Sequence, residues 1–263
     1  MFRLLPCEAN RRSIGADAHL LMSASAAAIL GHLKVVEAER ERRSADPELN
    51  ARVVALKAFQ QRRFSHTYAD LLASARYGAA SRFFLEELYG PNDFTRRDAQ
   101  FARMVPAMVR LFPNQIVATV STLAELHASS ETFDTAMAAQ LGDEPITGTD
   151  YIRAWQRVGR AAERERQIAL TLGVAAGLDE LTRKPFLRNS LRLMRGPARA
   201  AGLAELQWFL ETGFDTFRTM NGAPDFIALV GSRERALASV LFAAGTEGND
   251  ESPSMKSALD SLP

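Results

Sequence analysis

The sequence predicts an all-α protein, an irregular bundle of about eight helices, on three observations. Apolar residues recur at intervals of three and four along nearly the whole chain, and no stretch alternates apolar and polar residues over a strand's length. Prolines and glycines also fall where helices should begin and end, as at Pro47, Pro113, Pro185, Pro197 and Pro224. After an N-terminal arm, residues 1–16, a first helix is expected over residues 17–43. Asp46-Pro47-Glu48 supplies an N-cap, a first-turn proline and a first-turn acid, so a second helix should start there and run to Tyr77, where Gly78 weakens it. A short helix over 79–89 ends at Gly90-Pro91, and Thr95 with Asp98 reads as a capping box for the next. That helix presents Phe101, Met104, Val105, Met108, Val109 and Phe112 on one face, should kink at Pro106, and stops at Pro113.

A helix over 114–141 follows, and the loop-like residues 142–148 mark a candidate boundary between two subdomains within a helical domain spanning 17–244. Thr149 should cap one long helix reaching Asp179. Pro185 opens a helix ending at Arg195-Gly196, Pro197 opens another reaching Met220, and Asn221-Gly222 turns the chain into a last helix, Pro224 to Ala244. From residue 245 to 263 the apolar period gives way to Gly, Ser, Asp, Glu and Pro, the composition of a disordered tail.

Composition removes several function classes. The 263 residues carry 32 basic and 31 acidic side chains, a net charge of +1, so functional charge has to be local. One cysteine, Cys7, leaves no internal disulfide framework and no Cys-based zinc cluster. Arg11-Arg12 ahead of Leu20 to Leu30 has the outline of a twin-arginine export signal, but Asp17, His19 and serines interrupt the apolar run. Leu4-Leu5-Pro6-Cys7 lacks the apolar stretch that should precede a lipoprotein box. No segment reaches the roughly 20 apolar residues of a spanning helix, and a cytoplasmic protein is expected.

No catalytic, cofactor or metal constellation is legible. None of His19, His32, His66 and His127 follows an acid by three residues, as di-iron bundles require, and no glycine-rich phosphate loop, nucleophile elbow or His-Glu-x-x-His is present. Two arginine stripes are the candidate binding residues: Arg153, Arg157, Arg160 and Arg164 on the helix from Thr149, and Arg188, Arg192, Arg195 and Arg199 after Pro185. Opposite the first stripe, Trp155, Gly159, Ala162, Ala169, Gly173 and Ala176 form a seam small enough for a neighbouring helix to approach. The stripes suit an acidic protein or an anionic ligand, while the plainer alternative pairs them with Glu163, Glu165, Glu205 or Glu211. Nucleic acid is disfavoured because no aromatic residues interleave with the stripes. Arg166 projects into the small-residue seam, where a buried guanidinium would need a carboxylate. With Tyr89 and His127 it forms an alternative pocket set.

Lys57-Ala58-Phe59-Gln60, Arg62-Arg63-Phe64, Phe83-Phe84-Leu85-Glu86-Glu87-Leu88-Tyr89-Gly90-Pro91, Lys184-Pro185-Phe186 and Met194-Arg195-Gly196-Pro197-Ala198 resemble an uncharacterised family of all-helical proteobacterial proteins, over about Val53 to Ala244. The resemblance brings no activity with it. The expected function is that of a non-enzymatic cytoplasmic binding or regulatory protein that docks an acidic partner, or a second copy of itself, on its basic and small-residue faces. The alternative is an enzyme or carrier with an interhelical pocket for a small anionic or amphiphilic ligand.

Overall fold

The computed structural model describes residues 8–87, 94–143, 145–244 and 253–263, with side chains from residue 24 onward. Among these residues there are thirteen helices and no strand: α1 (Glu8–Ser44), α2 (Pro47–Thr67), α3 (Ala69–Ala73), α4 (Gly78–Glu87), α5 (Thr95–Leu111), α6 (Asn114–Ala138), α7 (Gly148–Val158), α8 (Ala161–Thr182), α9 (Pro185–Leu193), α10 (Arg195–Ala200), α11 (Ala204–Thr219), α12 (Pro224–Ala243) and α13 (Pro253–Leu259). The all-α expectation holds, while thirteen replaces eight because long periodic stretches are cut at single residues. The second helix stops at Thr67, where Tyr68 leaves helical geometry and sends its hydroxyl to Glu234. The stretch after Pro197 breaks at Gly202, which has φ +70°. α1 begins at Glu8, inside the stretch expected as an arm.

Local signals position most of the other ends. Asp46 accepts the Leu49 N–H at 3.0 Å and caps α2. Thr147, not Thr149, caps α7, in a reciprocal capping box with Asp150. α5 starts without a side-chain cap, since Asp98 faces Arg40 and His127 instead, and Pro106 sits inside the helix without ending it.

α6 is the axis of the bundle, with α1 and α8 along it and α2 and α7 beside it. Its 25 residues include only Glu125, His127, Glu131 and Asp134 as titratable groups, so it can be surrounded by other helices. The largest core cluster joins Leu56 and Phe59 of α2, Met137 of α6, Ile152 of α7, Leu241 of α12 and Met255 of α13, and so draws on both sides of residues 142–148. A second, aromatic cluster sets Phe84 of α4 against Phe217 and Phe226.

Two expectations are corrected. The tail is not wholly irregular: Met255, Ala258 and Leu262 are buried in the largest cluster, because three apolar side chains at spacings of three and four suffice for a two-turn amphipathic helix. The long helix from Thr149 is two helices. Gly159 adopts φ +60° and ψ −124°, and Arg160 follows in the left-handed region at φ 61° and ψ 47°. Gly159 therefore terminates α7 rather than lining a helix contact. Gly159→Ala is expected to cost about 1 to 3 kcal/mol in chemical denaturation, through backbone strain and not overpacking, since no atom lies closer than 3.5 Å to the position of its Cβ.

Candidate functional site

The break at Gly159-Arg160 redirects α8 so that Arg164 enters the core. Its guanidinium lies between two aromatic faces, 3.6 Å from the Phe133 ring centroid and 3.9 Å from that of Trp155. Only 4% of the residue is exposed. Nη1 donates to Gln167 Oε1 at 3.3 Å and Nη2 approaches Met137 Sδ at 3.0 Å. Among the described residues no carboxylate lies within ion-pair distance of it, and burial pulls its pKa down to about 10, against the attraction of Asp134. Its Nε–H and the Trp155 indole N–H are both buried without a hydrogen-bond partner among the described residues.

Both side chains border a cavity of about 120 Å³ walled by α2, α6, α7, α8 and α12. One part of the wall is polar. Lys57 Nζ donates to Glu131 Oε1 at 2.8 Å and Arg43 Nη2 stands 2.6 Å from the other oxygen. These two cations hold the Glu131 carboxyl at about 2, although burial alone would raise it. Asp134 accepts from Gln60 at 3.1 Å, and with Lys57 3.8 Å away its burial prevails and pushes its pKa up. Arg63 donates to Glu234 at 2.6 Å, and this carboxylate outweighs burial and raises the pKa of Arg63. The remaining wall is apolar, with Ile168 and Leu172 of α8, Ile227 and Val230 of α12, and the rings of Phe64 and Phe84.

Counting the charges of the network gives four cations, Arg43, Lys57, Arg63 and Arg164, against three carboxylates, Glu131, Asp134 and Glu234. One positive charge is unmatched, and it is the one on Arg164. His127 reaches the same cavity, with Nε2 2.9 Å from Asp98 Oδ2, and Asp98 also receives Arg40 at 2.7 Å. Burial works against the Asp98 charge, but His127 and Arg40 together lower its pKa. Among the described residues no group of three His, Cys, Asp or Glu side chains stands close enough to hold a metal ion.

The arginine stripes fare differently from their expected common face. Arg153 and Arg157 are exposed on α7. Arg160 pairs with Glu163 at 2.6 Å, Arg188 with Asp215 at 2.6 Å, and Arg195 with Glu211 at 2.8 Å. Arg192 and Arg199 are exposed. Arg166 is not buried in a seam: its side chain is 61% exposed and forms a two-pronged pair with Glu125 at 2.9 Å. The small residues Ala162, Ala169, Gly173 and Ala176 are exposed as well, because they have little apolar area to bury compared with Leu170, Val174 and Leu181 on the other side of α8. Tyr89 lies outside the described residues. Of the two described members of the alternative pocket set, His127 reaches the cavity and Arg166 does not.

A helical protein with a polar, partly ionised cavity between its central helices is the class that fold and site define. Residues 39–248 match the family model of a domain of unknown function, DUF8198, and the chain belongs to that family. No curated protein and no solved structure matches it. No described helix is long and apolar enough to cross a membrane.

Proposed function

We propose that the chain is a binding protein or carrier for a small monoanion with an apolar body, seated in the cavity between α2, α6, α8 and α12. The observation that carries this is Arg164, a buried guanidinium without a carboxylate, next to a buried indole N–H without an acceptor. Leaving such donors unmatched costs stability that a purely structural site would avoid, and one carboxylate oxygen pair answers both. A cavity of about 120 Å³ compares with the roughly 150 Å³ engineered cavity that takes benzene, so the body should be no larger than one ring. The single cysteine and the resemblance to proteobacterial chains support placing this carrier in the cytoplasm of a bacterium.

Benzoate, its neutral isostere benzamide and inorganic phosphate are suitable probes. Benzoate is expected to raise the melting temperature of the wild type, with about 1.4 kcal/mol of added stability at ten times its Kd. In Arg164→Met the helical circular dichroism is expected to persist and the unliganded protein to be as stable as wild type or more so, while the benzoate effect disappears. Benzoate without effect on the wild type, or an undiminished effect in Arg164→Met, would overturn the proposal.

A further inference from the structure

We propose that one end of the bundle, formed by α9, α10, the C-terminus of α5 and α11, docks onto an anionic lipid surface. Leu181, Leu187 and Phe214 form a buried cluster there with Ile116 and Leu191 against it, which brings the start of α6, the end of α8, α9 and α11 to one place. Lys184 hydrogen-bonds Gln115, and Gln207 donates to the Leu191 carbonyl at 2.6 Å, so the assembly is tied by polar contacts too.

Of the nine large apolar side chains exposed among the described residues, seven belong to this end. Leu111 and Phe112 close α5, immediately before α6 begins. Phe186 and Leu193, seven residues apart on α9, share a face, and Met194 follows. Trp208 and Leu210 lie on α11. Leu193 is 79% exposed and Leu111 78%, values far from ordinary partial burial.

Charge chooses the occupant. Residues 181–203 contain six basic side chains and no acid. Arg183, Arg188 and Arg195 are neutralised by Asp179, Asp215 and Glu211. Lys184, Arg192 and Arg199 have no carboxylate within ion-pair distance among the described residues, a surplus of three positive charges beside the apolar side chains. The depression between Arg188, Leu191 and Phe214 has room for about 10 Å³, less than a peptide side chain needs. Protruding apolar residues mixed with cations that have no carboxylate partner among the described residues suit shallow insertion among anionic headgroups. This inference is independent of the cavity.

Flotation of the full chain with extruded vesicles tests it, comparing phosphatidylcholine alone with phosphatidylcholine containing about 30% phosphatidylglycerol. Binding is expected only to the anionic vesicles, to fall several-fold as salt rises from about 0.05 to 0.5 M, and to shift the Trp208 emission to the blue. Arg192→Gln with Arg199→Gln should weaken partitioning about 25-fold, at roughly fivefold per cation. Leu193→Ser with Phe186→Ser should abolish it with the helical circular dichroism unchanged. Equal binding to neutral vesicles, no loss in either double variant, or no vesicle binding at low salt would overturn the proposal. So would binding of polyglutamate in place of vesicles, or a dimer in gel filtration that Leu193→Ser dissociates while vesicles remain unbound.

Discussion

Glu131→Gln is expected to destabilise the protein by about 3 to 5 kcal/mol, because it removes the carboxylate that contacts both Arg43 and Lys57 in a largely buried triad. Arg43 has a side chain 6% exposed and Lys57 one 18% exposed, so neither can recover its hydration by a small movement. Glutamine keeps the shape and one acceptor for Lys57 but turns its NH2 toward the Arg43 guanidinium, so the loss combines the charge with the acceptor facing Arg43. Urea unfolding followed by circular dichroism at pH 7 measures it, with Glu165→Gln as control, since that exposed pair with Arg235 is worth less than about 1 kcal/mol. A loss under about 1 kcal/mol in Glu131→Gln would show the triad to be solvated. The acid limb carries a second signature. The Glu131 carboxyl is held at about 2 against an ordinary 4.5, so the folded state binds fewer protons, and the stability it contributes is complete above the ordinary value and lost as pH falls toward 2. Asp134 has its pKa raised, so its contribution has the opposite sign and declines as pH rises past the unfolded value. Glu131→Gln should therefore remove part of the rise in stability between about pH 2 and 5, and the part carried by other carboxyls held low, Asp70, Asp98 and Asp215 among them, should persist.

Helix content and most starts were legible because they depend on neighbours in sequence. Asp46-Pro47-Glu48 and Pro224 act locally, and both helices begin where those residues say. Breaks such as Gly159-Arg160 were not legible, since a lone glycine inside an apolar period is common in unbroken helices and only the packing of α8 on α6 selects the left-handed pair. The error at α8 has the same origin. Projection on one helix groups Arg164 with Arg153, Arg157 and Arg160, but the break rotates the register, and Arg164 passes from a surface stripe to a site between Phe133 and Trp155. The cavity itself left one overlooked signal. In α6, otherwise nearly free of charge, His127, Glu131 and Asp134 follow one another at four and three residues, a face that has to meet cations if the helix is central. The cations that meet Glu131 come from α1 and α2, Arg43 and Lys57, the latter 74 residues away in sequence, and no local rule joins them; Arg63 and Glu234, 171 residues apart, meet in the same way.

Deletion of residues 253–263 is expected to lower the melting temperature by roughly 5 to 15 °C, the opposite of what a disordered tail would do. Met255 and Ala258 are 2% and 0% exposed and complete a core otherwise made from α2, α6, α7 and α12, so removing them opens that core to water. Met255→Ala alone should cost about 2 to 5 kcal/mol, and each kcal/mol moves the midpoint of a chain of this size by about 2 to 4 °C. Gly148 supplies an independent check on the same contact. A Cβ added there would lie 2.8 Å from a Leu259 methyl, so Gly148→Ala should force the Leu259 side chain out of its place against α7 in the full chain, at a small cost. In the deleted chain that neighbour is absent, and alanine in the first turn of α7 should be neutral or slightly stabilising. The sign of the Gly148→Ala effect thus reverses between the two backgrounds, a coupling that thermal or urea unfolding of the four proteins reads directly. Equal effects in both backgrounds, together with an unchanged midpoint on deletion, would show that α13 does not rest on α7 and α12 in solution.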